Sequence, residues 1–539
     1  MARVNLGRNT WSVAAISSRL SPRRIPIPLA AAGVGFVVMA ARVYVPTVTG
    51  LADQGDGHRM MCELGLMHDP ADGPRPFFDY LDLHWVRGPL TTCAYWYPTS
   101  TTWLVRPVYW AYRAMTGRTD FNLAWEGLVW CLLFALACVL LALVARRVWR
   151  VGGTAVVLGA VFLVVGDSAF ADYAVTPLSE TGGILGILLM AAAVPLLVRP
   201  RLGVALVAGW LVFTAGCLLA VTSKAQGLTL IIPAFGALLL AAWVRARRTA
   251  DGTAWYRRGL AFLAPLLLLA VVTPFAVGEY HADAALPLLP EINKGDVIFG
   301  AALVGSSNVD ADLAELGLPA SYARYAGGNC YDVPIVPCLT PRFAEDSANI
   351  TQPRIAEFFV MHPDRLLNVL QGEAQYMFAP RAYPQGSYAK SAGHPARATD
   401  CRVCVVTDLL APGRGSAGLA LWLLLTSGMA EISRRGLSRG RNARYGTELA
   451  GFAVATALLC GLGAVEFGTT ALGDTIEYGR HYAMAAFAFA LALPFAGVTA
   501  ALLATSRPQS YQGTDVPAQA DLGGPEVGER RPDTELVGS

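Results

Sequence analysis

Apolar residues in this chain gather in long, nearly unbroken runs, not in the alternating or 3.6-residue stripes of a water-soluble domain. Runs of about 17–25 such residues are long enough to cross a bilayer. They fall at 28–49, 122–145, 152–170, 174–197, 203–222, 228–244, 259–277, 416–432, 449–467 and 482–504. The pattern predicts an all-α polytopic membrane protein with about ten transmembrane helices. Two long polar stretches interrupt the runs, residues 51–121 and 278–415.

Arginine sets the expected orientation. Arg19, Arg23 and Arg24 precede the first run, Arg146, Arg147 and Arg150 follow the second, and Arg199 and Arg201 follow the fourth. Arg245, Arg247, Arg248, Arg257 and Arg258 separate the sixth from the seventh, and Arg434, Arg435, Arg439, Arg441 and Arg444 follow the eighth. Every cluster lies inside if both termini are cytoplasmic, as the positive-inside rule requires of a multi-pass plasma-membrane protein. The first run is too long for a signal peptide and no small-residue cleavage site closes it. The expected plan is a cytoplasmic segment 1–27, a bundle 28–277 with a first external loop 51–121, an extracytoplasmic loop domain 278–415 and C-terminal helices 416–505. The tail 506–539, rich in Pro, Gly and Glu and without an apolar face, is expected to be disordered.

Composition agrees. Of 539 residues, 54% are hydrophobic and 15% charged, with mean hydropathy +0.44, beyond the soluble norm. A net charge of +3 says nothing about partners, and without a basic face or motif nucleic acid is set aside. Cys131, Cys138, Cys217 and Cys460 fall within runs and read as small apolar packers. Cys62, Cys93, Cys330, Cys338, Cys401 and Cys404 fall in external loops, which favours disulfides: Cys330–Cys338, Cys62–Cys93, and Cys401 with Cys404.

Within the loops, residues 103–113 mix aromatic and cationic positions as in a helix lying in the membrane interface; a packed loop with aromatic anchors is the plainer alternative. Short helices are expected at 310–317, ended by Gly317, at 355–362, stopped by Pro363, and at 364–378.

Topology carries the polar residues of four segments to one membrane face. Asp53 and Asp56 follow the first run, as a general base toward an acceptor hydroxyl, as ligands of a divalent cation, or as an exposed acidic turn. Asp167, Asp172, Ser179 and Glu180 lie around the start of the fourth run, as substrate contacts or, for Ser179 and Glu180, as helix caps. Lys224, with Gln226 two residues on, is a phosphate contact or a snorkelling lysine. Arg480 and His481, with Asp474 and Glu477 upstream, offer a phosphate fork and a donor to a leaving group, or a local Glu477–Arg480 pair. Arg42 inside the first run is a further anion partner, or snorkels. No Walker A, nucleophile-elbow, zincin or Rossmann motif occurs in a fitting context.

With Ala52–Asp56, Pro177–Glu180, Ser223–Gln226, Gly473 and Asp474, Arg480 and His481, and the loop phrase Asp312–Pro319, the chain resembles the multi-spanning GT-C glycosyltransferases. It is most similar to actinobacterial members of the S-layer and cell-envelope glycan hexose transferases, loosely over residues 28–505. The resemblance implies transfer of a hexose from a polyprenyl-phosphate sugar to an envelope glycan or glycolipid acceptor on the extracytoplasmic face. It implies that Asp53 or Asp56 is the base or a metal ligand, that Asp172, Glu180, Lys224, Gln226, Arg480 and His481 bind substrate, and that the partners are the lipid donor, the acceptor and membrane lipids. This chain has Asp-Gln-Gly-Asp where many relatives carry Asp-x-Asp or Glu-x-Asp. The rival readings are a transporter or flippase for a lipid-linked glycan and a non-catalytic envelope scaffold. Against transport stand the lack of an internal repeat and charges that gather at one face instead of mid-span.

Overall fold

The computed structural model describes residues 26–89, 99–199, 203–248, 255–285, 289–330, 337–382, 384–440, 445–473 and 479–505. Cys93, Asp474 and Glu477 lie outside them, as does the tail, so the Cys62–Cys93 pairing and the Glu477–Arg480 pair fall on residues not described.

The described chain is mostly helical. Eight helices are long and apolar enough to span a membrane, and two bent pairs bring the count to ten. The first span is α1, Ile27–Tyr44. The loop after it holds a short helix α2, Gly57–Glu63, then strands β1, Leu66–His68, and β2, His84–Arg87, the helix α3, Ser100–Thr116, and β3, Phe121–Asn122. The strands form an antiparallel sheet in the order β1-β2-β3, pairing Met67 with Val86 and Trp85 with Phe121. This corrects the all-α expectation: strands of two to four residues are too short for an alternating pattern to announce them. Helix α3 begins at a reciprocal Thr99–Thr102 capping box and ends at Gly117, whose φ of 70° closes the last turn. It buries Tyr109 and Tyr112 and exposes Trp110 and Met115, so it is amphipathic, as its sequence requires.

Next come α4, Glu126–Ala145, and α5, Val151–Val165. The straight span expected at 152–170 is broken: α5 stops before Gly166 and meets the segment Ser168–Ala174 at 61°. Asp167 is the reason. Its carboxylate accepts the Ala169 amide at 3.1 Å as a helix cap, and the amides of Val406 and Thr407 at 2.8 and 3.1 Å. The following span also starts later than position 174. It is α6, Glu180–Leu197, and it is buried along its whole length, the central helix of the bundle. Ser179 does not cap it: no side-chain cap bond forms, and its carbonyl instead accepts the Thr101 hydroxyl at 2.7 Å.

Helix α7, Val204–Val221, leads through a 3₁₀ turn at Ala225–Leu230 into α8, Ile231–Arg248, and α9, Trp255–Ala284, follows. A compact set of helices comes next: α10, Leu289–Val297; α11, Val309–Leu316; α12, Pro341–Asp346; α13, Gln352–Met361; and α14, Pro363–Glu373. It has a hydrophobic core of its own around Phe299, Phe343, Ile355 and Phe358, separate from the large core of the spans. Cys330–Cys338 lies in this core at disulfide distance, and Cys401–Cys404 makes a second such pair. A helix at Val405–Gly413 turns by 119° into the span α15, Gly418–Arg439. The last spans are α16, Gly446–Gly473, and α17, Ala483–Thr505. Cys131, Cys138, Cys217 and Cys460 are buried free thiols within spans.

Candidate functional site

The turn between α1 and α2 faces its two carboxylates in different directions. Asp53 is 3% exposed; its Oδ1 accepts the amides of Gly55 at 2.9 Å and Gly57 at 2.7 Å, and its Oδ2 pairs with Arg75. Arg75 lies in turn over the rings of Phe77 and Trp85, 4.9 and 5.4 Å from their centroids. The turn needs glycine at 57, because a Cβ there would stand 2.6 Å from Pro177 and 2.8 Å from the Asp53 carboxylate. Asp53 therefore organises the turn. Asp56 points the other way, toward Arg480 Nη2 at 2.5 Å and Arg59 at 3.3 Å.

Arg480 is the hub of the site. It follows Gly479, whose φ of 83° permits the sharp turn into α17. Its Nε lies 3.2 Å from Glu180 Oε1, which also pairs with Lys224. Glu180 stands at the first turn of α6, where the helix N-terminus favours a negative charge. The second reading of Lys224, a snorkelling side chain, does not hold: its amine turns inward to Glu180 and the residue is only 8% exposed. His481 Nε2 sits 3.2 Å from Arg480 Nη2. A guanidinium only donates, so Nε2 accepts there. Glu180, Lys224, Arg480, His481 and Asp56 are thus brought together as their topology implies.

Gln226 joins them through a residue that the apolar pattern hid. Its amide donates to Glu466 Oε1 at 3.2 Å, to Thr470 at 3.3 Å and to the His481 carbonyl at 3.5 Å. Glu466 lies inside the span α16 and is fully buried. The signal that could have found it is a lone acid within an apolar run, which is costly without a use.

Asp172 goes elsewhere. It is 1% exposed, bonded to Arg381 at 2.6 Å and to the Ser387 hydroxyl at 2.6 Å, with Arg42 at 3.5 Å. Arg42 also pairs with Asp400 at 2.6 Å and donates to the Gly166 carbonyl at 2.7 Å. These groups tie residues 381–402 to α1 and to the break after α5. Arg42 thus neither snorkels nor reaches the Arg480 cluster.

Beside the Arg480 cluster is a cavity of about 800 Å³, a size usual for a substrate pocket. Asp56, Arg59, Lys224, Gln226, Arg480 and His481 line its charged part. Leu228, Tyr280, Val465 and Leu472, from the 3₁₀ turn, α9 and α16, give it an apolar wall, and α10 and α13 close it from the second core. Asp53 and Asp172 are not among the lining residues. The donor set does not fit a divalent cation at the two aspartates. Asp53 is filled by two amides and Arg75, and Asp56 faces two guanidinium groups, so cations already occupy the positions a metal would take.

No curated protein and no solved structure gives a significant match to this chain. A match to the family described as the YfdI N-terminal transmembrane domain extends over residues 15–514. A multi-pass, mostly helical protein with that match over nearly its whole length belongs to the YfdI N-terminal transmembrane domain family.

Proposed function

We propose that this protein is a GT-C-type membrane glycosyltransferase, moving a hexose from a polyprenyl-phosphate sugar to a cell-envelope glycan or glycolipid acceptor at the extracytoplasmic face. One observation carries the reading. A carboxylate, Asp56, and two phosphate-competent cations, Lys224 and Arg480, line the same cavity, whose other wall is span surface suited to a lipid chain. The chemistry needs little more. A lipid-phosphate sugar brings its own leaving group, so the enzyme supplies a base for the acceptor hydroxyl and cations for the departing phosphate.

In this scheme Asp56 takes the proton of the acceptor hydroxyl as its oxygen attacks the anomeric carbon. The bond from that carbon to the phosphate oxygen breaks, and the electron pair leaves with the lipid phosphate, which Lys224, Arg480 and His481 hold. A single displacement inverts the anomeric centre. The ion pair of Asp56 with Arg480 gives the cycle an order: the donor phosphate competes for the guanidinium and frees Asp56 to act as base. Asp53 keeps the turn in shape and Glu180 keeps both cations in place.

The test is transfer from a panel of labelled polyprenyl-phosphate sugars by protein in lipid bilayers. Asp56→Ala is expected to lower transfer by roughly 10²- to 10⁴-fold, the range for losing a general base, with the fold retained. Full transfer by the Asp56→Ala protein would remove Asp56 as base, and no transfer by the folded parent from any donor would remove the transferase reading.

A further inference from the structure

The cations of the cavity are not equivalent. Lys224 and Arg480 rest on Glu180, and Arg59 and Arg480 on Asp56. Lys294 lines the same cavity from α10, on the side of the second core, and makes no ion pair within 4.0 Å among the described residues. Its Nζ donates to the Ser347 carbonyl at 2.8 Å, with the Ser347 hydroxyl at 3.5 Å. An ammonium has three protons, and one carbonyl does not saturate it. Burial pushes the Lys294 amine below its ordinary range, with Glu291 opposing the shift, as expected for a cation that lacks a contacting counter-charge. Asp296, two residues on along the same helix, makes no ion pair with it; its Oδ1 accepts the Cys330 amide at 2.6 Å.

We propose that Lys294 is a second anion-binding point of the cavity, which takes a phosphoryl group distinct from the one held at Lys224 and Arg480. The proposal rests on the transferase reading and extends it, since a site with two separate cation centres fits substrates that bring two phosphoryl groups between them. The second group has two possible sources of the same chemistry: the inner phosphate of a lipid diphosphate, next to the lipid, or a phosphate on the acceptor. A neutral acceptor with a lipid monophosphate would leave Lys294 without a counter-ion.

Binding separates these cases without depending on turnover. The full chain in lipid nanodiscs is titrated with farnesyl phosphate, with farnesyl diphosphate, and with inorganic phosphate after saturation by farnesyl phosphate. In the first arm Lys294→Met is expected to bind as the parent does, which also shows that the cavity is folded. In one of the other two it is expected to lose about tenfold in affinity, the scale of one charge-assisted contact, and Lys294→Arg to recover most of it. Loss in the diphosphate arm names the donor as the source, and loss in the phosphate arm names the acceptor. Equal loss in all three arms makes Lys294 a structural tie to Ser347 and overturns the proposal, as does no loss in any. Failure of the parent to bind farnesyl phosphate overturns the transferase reading and this proposal with it.

Discussion

Asp172 and Glu180 stand eight residues apart in sequence, and each is 1% exposed, yet they belong to two different kinds of charge cluster. Around Asp172 the carboxylate oxygens all find partners: both of its own and both of Asp400 pair with Arg42, Arg381, Arg402, Ser168, Ser387 or Tyr388. Around Glu180 they do not. Glu180 Oε2 and Glu466 Oε2 have no hydrogen-bond partner among the described residues, and the cations that face Glu180 also face the cavity. Burial alone therefore does not mark a site here. The mark is a set of buried charges left incompletely satisfied beside a space that a ligand can enter.

The sealed cluster gives the largest expected effect. Asp172→Ala leaves Arg42 and Arg381 buried with one carboxylate fewer, and breaking such a network by one partner costs about 3–5 kcal/mol. Denaturant titration of the protein in detergent should show that loss, with a fall in folded yield. Asp56→Ala, in the open cluster, should unfold within about 1 kcal/mol of the parent, since Arg480 keeps Glu180 and Arg59 reaches solvent. Equal destabilisation by the two substitutions would end the distinction between sealed and open.

Sequence carried the outline of this contrast but not its sides. The spans were legible because a bilayer demands long apolar runs, and even the two bent ones left their run in the sequence. Convergence of Asp56, Glu180, Lys224 and Arg480 followed from topology, since each flanks the end of a run. The direction of each carboxylate did not. Asp53 turns inward because Arg75 waits for it, and Asp172 is diverted by Arg381 and Ser387, more than 200 residues along the chain. Neither partner is signalled near the aspartate that it holds. Glu466 is legible in principle, as an acid inside an apolar run, but the run by itself identifies only the span.

A medium effect tests whether Glu466 belongs with the open cluster. Gln at 466 keeps an oxygen for the Gln226 amide and removes the charge, so the unfolding free energy should stay within about 1 kcal/mol of the parent. Leu removes the acceptor as well and leaves the Gln226 amide short of a partner, at a cost of about 1–3 kcal/mol. A loss of about 3–5 kcal/mol already for Glu466→Gln, with Glu466→Leu no better, would mean that the charge itself holds the fold, as it does around Asp172.

The smallest effect concerns the frame of the loop that carries Asp56. Glu63, at the end of α2, bonds Arg106 of α3 at 2.6 Å and accepts the Thr102 hydroxyl. Burial raises its pKa above the ordinary carboxylate value, outweighing the lowering by Thr102 and Arg106. A raised folded pKa means that the folded state holds this proton where the unfolded chain has released it. The stability that Glu63 contributes is then fully present below its ordinary value and is lost as pH rises through the raised one. Glu63→Gln removes that dependence. Across thermal unfolding from pH 4 to 8, the variant should gain on the parent as pH rises, with the change complete above the raised pKa. An opposite trend, with the parent gaining as pH rises, would show that ionised Glu63 is held by Arg106 as firmly as Asp172 is by Arg381, and the loop bearing Asp56 would then belong to the sealed kind.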